Sequence, residues 1–97
     1  MIVTGQLSAT SSAATLCTVP PGPCLVVLNS GGSSTGVAFV GVKPGSGEAL
    51  KTTNGVPLNV GQTFTFATYA GSTGTTLQAI CSSGKTATVG FLISTTD

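Results

Sequence analysis

From Thr86 to Ile93 the side chains alternate without a break. Ala87, Val89, Phe91 and Ile93 fall on one side, and Thr86, Thr88, Gly90 and Leu92 on the other. A period of two marks a strand with unlike faces; a helix would scatter those apolar residues around its axis. Gln62–Ala67 repeats the pattern, with Phe64 and Phe66 opposed to Thr63 and Thr65. Turn chemistry interrupts the chain at short intervals: Pro20-Pro21-Gly22-Pro23, Ser30 to Ser34, Pro44-Gly45-Ser46-Gly47, Asn54-Gly55, Gly71-Ser72-Thr73-Gly74 and Ser82-Ser83-Gly84-Lys85. Asn54-Gly55 is read as a tight turn because both residues tolerate positive φ. No segment reads as helix, since Glu, Lys, Gln and Met are scarce while Thr, Val, Ile and Phe abound.

Between the turns the expected strands are Ala14–Val19, Cys24–Asn29, Gly36–Val42, a short one at Ala49–Thr53, Gln62–Ala67, Thr75–Cys81 and Thr86–Ile93. Met1 to Thr4 opens the chain as an edge strand or an arm, and a Ser/Ala/Thr stretch follows through Ala13. Many short strands and no helix predict an all-β, single-domain β-sandwich, Ig-like or jelly-roll-like, of about seven or eight antiparallel strands. Residues 1–97 form one domain, with residues 1–13 as the extended N-terminal arm or edge strand. The facing sheets are expected to bury Val26, Leu28, Phe39, Phe64, Phe66, Ile80, Val89, Phe91 and Ile93.

Charge narrows the function. Charged residues are 5% of the 97, against roughly 25% in ordinary domains. The cations are Lys43, Lys51 and Lys85, the acids Glu48 and Asp97, and there is no His. Three scattered lysines cannot neutralise a run of phosphates, so nucleic acid is not expected as a partner. General acid–base catalysis lacks its parts, and a serine nucleophile would have only a lysine as base. The chain is therefore read as no enzyme, with no catalytic residue, metal or cofactor. Ala79-Ile80-Cys81-Ser82-Ser83-Gly84-Lys85-Thr86 loosely matches a phosphate loop. That chemistry needs a helix after the glycine loop, whereas period-two strand follows Thr86. The lysine is better explained as keeping a hairpin turn polar.

Cys17, Cys24 and Cys81 lack the fourth ligand and the spacing of a zinc site. They read as small buried hydrophobes, with a Cys17–Cys24 disulfide across the proline loop left open. The longest apolar run, Cys24 to Leu28, is far short of the roughly 20 residues that span a bilayer, so no membrane partner is expected. No basic n-region precedes an apolar stretch before Lys43, which predicts synthesis in the cytoplasm without a secretory signal.

Three blocks carry a family resemblance. Leu25-Val26-Val27-Leu28-Asn29-Ser30-Gly31-Gly32 leads into Val37-Ala38-Phe39-Val40-Gly41. Thr52-Thr53-Asn54-Gly55-Val56-Pro57-Leu58-Asn59-Val60-Gly61-Gln62 follows, and Leu77-Gln78-Ala79-Ile80-Cys81 through Thr86-Ala87-Thr88-Val89 closes the set. In this order, over residues 25–93, they resemble small β-sandwich virion proteins of tailed bacteriophages, of the head decoration (capsid-stabilising) type. The resemblance implies a structural virion protein made in the host cytoplasm and placed on the outer capsid surface. Its implied partner is the major capsid protein, whose expanded lattice it would cement, and it would self-associate, a trimer being plausible. Other virion roles fit the same resemblance: a tail or fibre component, or a displayed host-surface or carbohydrate-binding module. Residues 1–23 lie outside the match. Their apolar start makes Met1, Ile2, Val3, Thr4 and Leu7 the candidate capsid contacts, as an arm that orders on the shell or as a plain edge strand.

Overall fold

The computed structural model describes residues 1–32, 34–44 and 48–95. The expected turn residues Ser33 and Gly45-Ser46-Gly47, and the acidic residue Asp97, lie outside the described residues. Eight strands and no helix are present among those described: β1 (Ile2–Ala9), β2 (Ala14–Val19), β3 (Cys24–Ser30), β4 (Ala38–Val42), β5 (Val56–Leu58), β6 (Thr63–Ala67), β7 (Thr75–Cys81) and β8 (Ala87–Thr95). They form two four-stranded sheets, β1-β8-β3-β6 and β2-β7-β4-β5. Every pairing is antiparallel. The all-β sandwich read from the sequence is the fold, and the strand order is that of a jelly roll.

The core lies between the sheets. Val26 and Leu28 of β3, Val89 and Ile93 of β8, Val19 of β2, Val40 of β4, Leu58 of β5, and Leu77 and Ala79 of β7 are all buried there. Their alternate positions point outward, which is why a period of two survives in β3 and β8. Phe91 and Phe66 pack against this cluster while partly buried.

Two expected core residues sit elsewhere. Phe39 and Ile80 face each other across β4 and β7, but alternation places them opposite Val40 and Ala79, on the outer face of the second sheet. Ile80 is nevertheless buried, because the segment leading to β5 folds back over that face. Leu50, at 3% exposure, is the anchor of this cover. It lies over Gly41, where an added Cβ would come within 3.0 Å of its Cδ1. The Leu50 N–H donates to Gln78 Oε1 at 3.1 Å, in a buried hydrogen bond. β7 is thus covered on both faces, and its last five residues are all buried.

Residues 49–53, expected as a strand, form this cover and its turn instead. The turn closes with the Asn54 N–H donating to the Lys51 carbonyl (3.2 Å) and the Lys51 N–H donating to Asn54 Oδ1 (2.8 Å). Gly55 does not adopt positive φ. It is glycine because a Cβ there would lie 2.8 Å from Phe39 Cβ. The strand of this region is Val56-Pro57-Leu58, paired with β4.

Replacing Gln78 by Leu removes the acceptor and leaves the Leu50 N–H buried and unpaired, a cost of about 1–3 kcal/mol. The penalty is escaped by lifting the cover, so local opening is the expected outcome. Trypsin should cut faster after Lys51 in Gln78→Leu than in the parent, while the far-UV spectrum of the sandwich is retained. Equal cleavage rates would show that the bond does not hold the cover.

Candidate functional site

The outer face of the second sheet is covered over β4 and β7, while Thr15 and Thr18 of β2 and Pro57 of β5 stay exposed on it; the outer face of β1-β8-β3-β6 has no such cover. Thr4, Gln6 and Ser8 of β1, Thr88, Gly90, Leu92 and Ser94 of β8, Leu25, Val27 and Asn29 of β3, and Thr63 and Thr65 of β6 present outward, as the register requires. None of these positions is charged. Gly90 leaves a shallow depression of about 350 Å³ between Gln6, Asn29 and Leu92. Asn29 Nδ2 is held in place by donating to Thr63 Oγ1 (3.0 Å) and the Gln62 carbonyl (3.2 Å). The result is a flat, hydroxyl- and amide-bearing surface with Leu25, 46% exposed, beside it. Such a face suits contact with another macromolecular surface, because binding it requires no charge to be stripped of water.

The flanks of the sandwich differ. At the β1/β2 side the layers close, and the Cys81 N–H donates to the Thr10 carbonyl across it at 2.7 Å. At the β6/β5 side they part, leaving an apolar cleft of about 310 Å³ lined by Val40, Val42, Val56, Phe64 and Phe66, with Leu28 and Leu77 deeper. Phe64 was expected in the core. It points inward beside Leu28, yet it is 38% exposed because this side is open. It keeps a tilted contact with Phe66, ring centroids 5.8 Å apart.

The five candidate contact residues are divided by the fold. Ile2, Val3, Thr4 and Leu7 all belong to β1, which pairs with β8 along its whole length. Leu7 packs on the core. Val3 shares its face but stays 41% exposed, while Ile2 and Met1 are 67% and 64% exposed at the same end. The Met1 carbonyl accepts from the Thr95 N–H at 2.9 Å. These residues therefore make up an edge strand whose first turn of sequence offers apolar side chains to the outside.

Residues of Ala79–Thr86, the loose phosphate-loop match, run from β7 through a turn into β8. Gly84 has φ +77, and the Lys85 N–H donates to the Ser82 carbonyl at 3.0 Å. Because β7 and β8 belong to different sheets, the turn crosses between layers and is no hairpin. No helix N-terminus follows to hold an anion.

All three cysteines are buried free thiols. Cys24 Sγ donates weakly to the Pro20 carbonyl at 3.7 Å, and among the described residues no group of His, Cys, Asp or Glu could hold a metal ion. Burial pushes the Cys17 thiol up from 9.0 to about 11. The folded chain thus keeps a proton that the unfolded chain releases first. The stability this contributes is complete below about pH 9 and is lost as pH rises to about 11. In urea titrations the unfolding midpoint should hold steady at neutral pH and fall above pH 9, and Cys17→Ala should flatten that fall. An unaltered slope in the variant would show that other groups cause it.

Comparison with known proteins adds fold information. No family model matches the chain, and no curated protein does so either. A solved structure of Bacillus endospore appendages, a family of disulfide-linked pili, is similar with a TM-score of 0.53 and 14% identity, over 95% of this chain and 85% of that one. At that identity the likeness shows the shared sandwich and nothing finer.

Proposed function

We propose that this protein is a structural subunit that works by surface contact, and that the contact is made on the outside of a tailed bacteriophage head, where it cements the major capsid protein lattice. The observation that carries this reading is the bare, uncharged outer face of β1-β8-β3-β6, set against a second sheet whose outer face is covered over β4 and β7. The resemblance of residues 25–93 to head decoration proteins supports the choice of partner. Selective binding of the expanded lattice would stabilise it by RT ln(1 + [L]/Kd), about 2.7 kcal/mol per site at a hundredfold excess over Kd. Repetition over a shell makes that modest figure mechanically large.

Gel analysis of purified virions tests the reading. Copies in the hundreds per particle support the head, a dozen or fewer move the protein to the tail or fibres, and absence from virions ends the proposal. A second reading, a subunit of a surface filament, is favoured by the fold likeness to endospore pili. The disulfide linkage of those pili does not come with it, since all three cysteines here are buried free thiols. Filaments seen by electron microscopy in preparations free of virions would support this second reading over the first.

A further inference from the structure

Each sheet has two edge strands, and the four edges are not equally protected. Natural sandwiches guard edges with proline, lysine, bulges or brevity, because an unpaired row of N–H and C=O groups is a template for another strand. β2 carries a bulge, its register with β7 shifting between Thr15 and Cys17. β5 is three residues long and contains Pro57. β1 and β6 have none of these devices. β1 runs eight residues, Ile-Val-Thr-Gly-Gln-Leu-Ser-Ala, in unbroken register with β8, and β6 reads Thr-Phe-Thr-Phe-Ala in unbroken register with β3. Neither contains a charge or a proline. Both unguarded edges belong to the same sheet, one at each margin.

We infer that these two edges are each other's partners: β6 of one copy pairs with β1 of a second copy, joining the β1-β8-β3-β6 sheets side by side. Direction permits it. Strands alternate across the sheet, so β1 and β6 of one molecule run oppositely. A neighbour placed alongside in the same orientation then sets its β1 antiparallel to β6. The apolar cleft opens on the β6 side, and the exposed inner-face Val3 stands on the β1 side, so the same contact that pairs the backbones brings an apolar strand end to the cleft mouth. Symmetric alternatives do less. A β1–β1 contact leaves the cleft and β6 open in every copy, and a β6–β6 contact leaves β1 bare. Of the arrangements built from a single kind of contact, only the head-to-tail one uses both edges of each molecule, which makes it heterologous and able to propagate as a ring or a row. This contact holds whether or not the outer face of the sheet meets a capsid.

The test places paired lysines on one edge at a time. Thr4→Lys with Gln6→Lys guards β1, and Thr63→Lys with Thr65→Lys guards β6; all four positions are exposed, so the fold is expected to stand. Sedimentation velocity of the parent chain should show species larger than the monomer. Each doubly substituted variant alone should lose them. An equimolar mixture should recover a dimer and nothing larger, because one β6 edge and one β1 edge remain intact. A parent chain that stays monomeric at millimolar concentration overturns the proposal. So does a β6-guarded variant that still dimerises, or a mixture that yields no dimer. As an independent readout, disulfide trapping between a Thr4→Cys copy and a Thr65→Cys copy should exceed trapping within either alone; the reverse result counts against the pairing.

Discussion

Leu28→Ala should unfold this domain at a temperature lower by ten degrees or more, while Phe64→Ala, one strand away, should cost far less. Leu28 is 1% exposed and packs in the cluster between the sheets. Trimming such a side chain removes the transfer energy of its methylenes and leaves a space that a two-sheet core cannot close, together about 2–5 kcal/mol. In a domain of this size each kcal/mol moves Tm by about 4–8 °C. Phe64 sits opposite Leu28 in the register of β3 and β6, but it borders the open side. Its loss forfeits a tilted ring contact worth about 0.5–1.5 kcal/mol and some apolar area that already touches water. Calorimetry on both variants checks the ordering. Equal shifts would mean that the β6/β5 side is closed in solution.

Gly5→Val, at the one glycine of β1, is expected to be strongly damaging, whereas Gly90→Ala on the neighbouring strand should be nearly silent. A Cβ at Gly5 would lie 2.6 Å from Phe91 Cζ and 2.8 Å from Cε1. The Phe91 ring packs against the core, so it cannot swing away without opening a gap. Overpacking of this kind costs about 1–3 kcal/mol, concentrated on the pairing of β1 with β8. At Gly90 the nearest atoms to an added Cβ are 3.9 Å or more away, because that position faces outward. Hydrogen exchange resolved along β1 would show the difference: accelerated amides across residues 2–9 in Gly5→Val, and no change in Gly90→Ala. Unchanged protection in the valine variant would mean that Phe91 has another rotamer available.

These glycines also show where the sequence was readable. The alternation of β8 appears in the residue order because one of its faces is buried and the other is not. β7 is covered on both sides, so its pattern blurs, and nothing local says that Leu50 will supply the second cover. For the same reason Phe39 and Ile80 looked like residues of the main core: parity tells which residues share a face, but not which face is inner when both are apolar. Val56-Pro57-Leu58 was missed because three residues with a central proline carry almost no strand signal, and only pairing with β4 makes them one. Likewise Ser8 and Ala9 lie in a stretch of small residues whose strand state comes from β8, far along the chain. Within the proposed contact surface, absence of charge was legible from composition. The guarding of two edges and not the others required the pairing register and the strand order.

The position of β8 has a consequence for how this chain comes into being. It lies between β1 and β3, so the eighth of the described strands is the one that joins the first to the rest of its layer. While residues 87–95 are still inside the ribosome, β1 has no neighbour and half of the sandwich is in two pieces. Pairing across such a sequence separation makes folding slow and leaves β1 without its partner strand until β8 is available. Truncation of β8 is thus expected to leave an aggregating chain rather than a smaller domain.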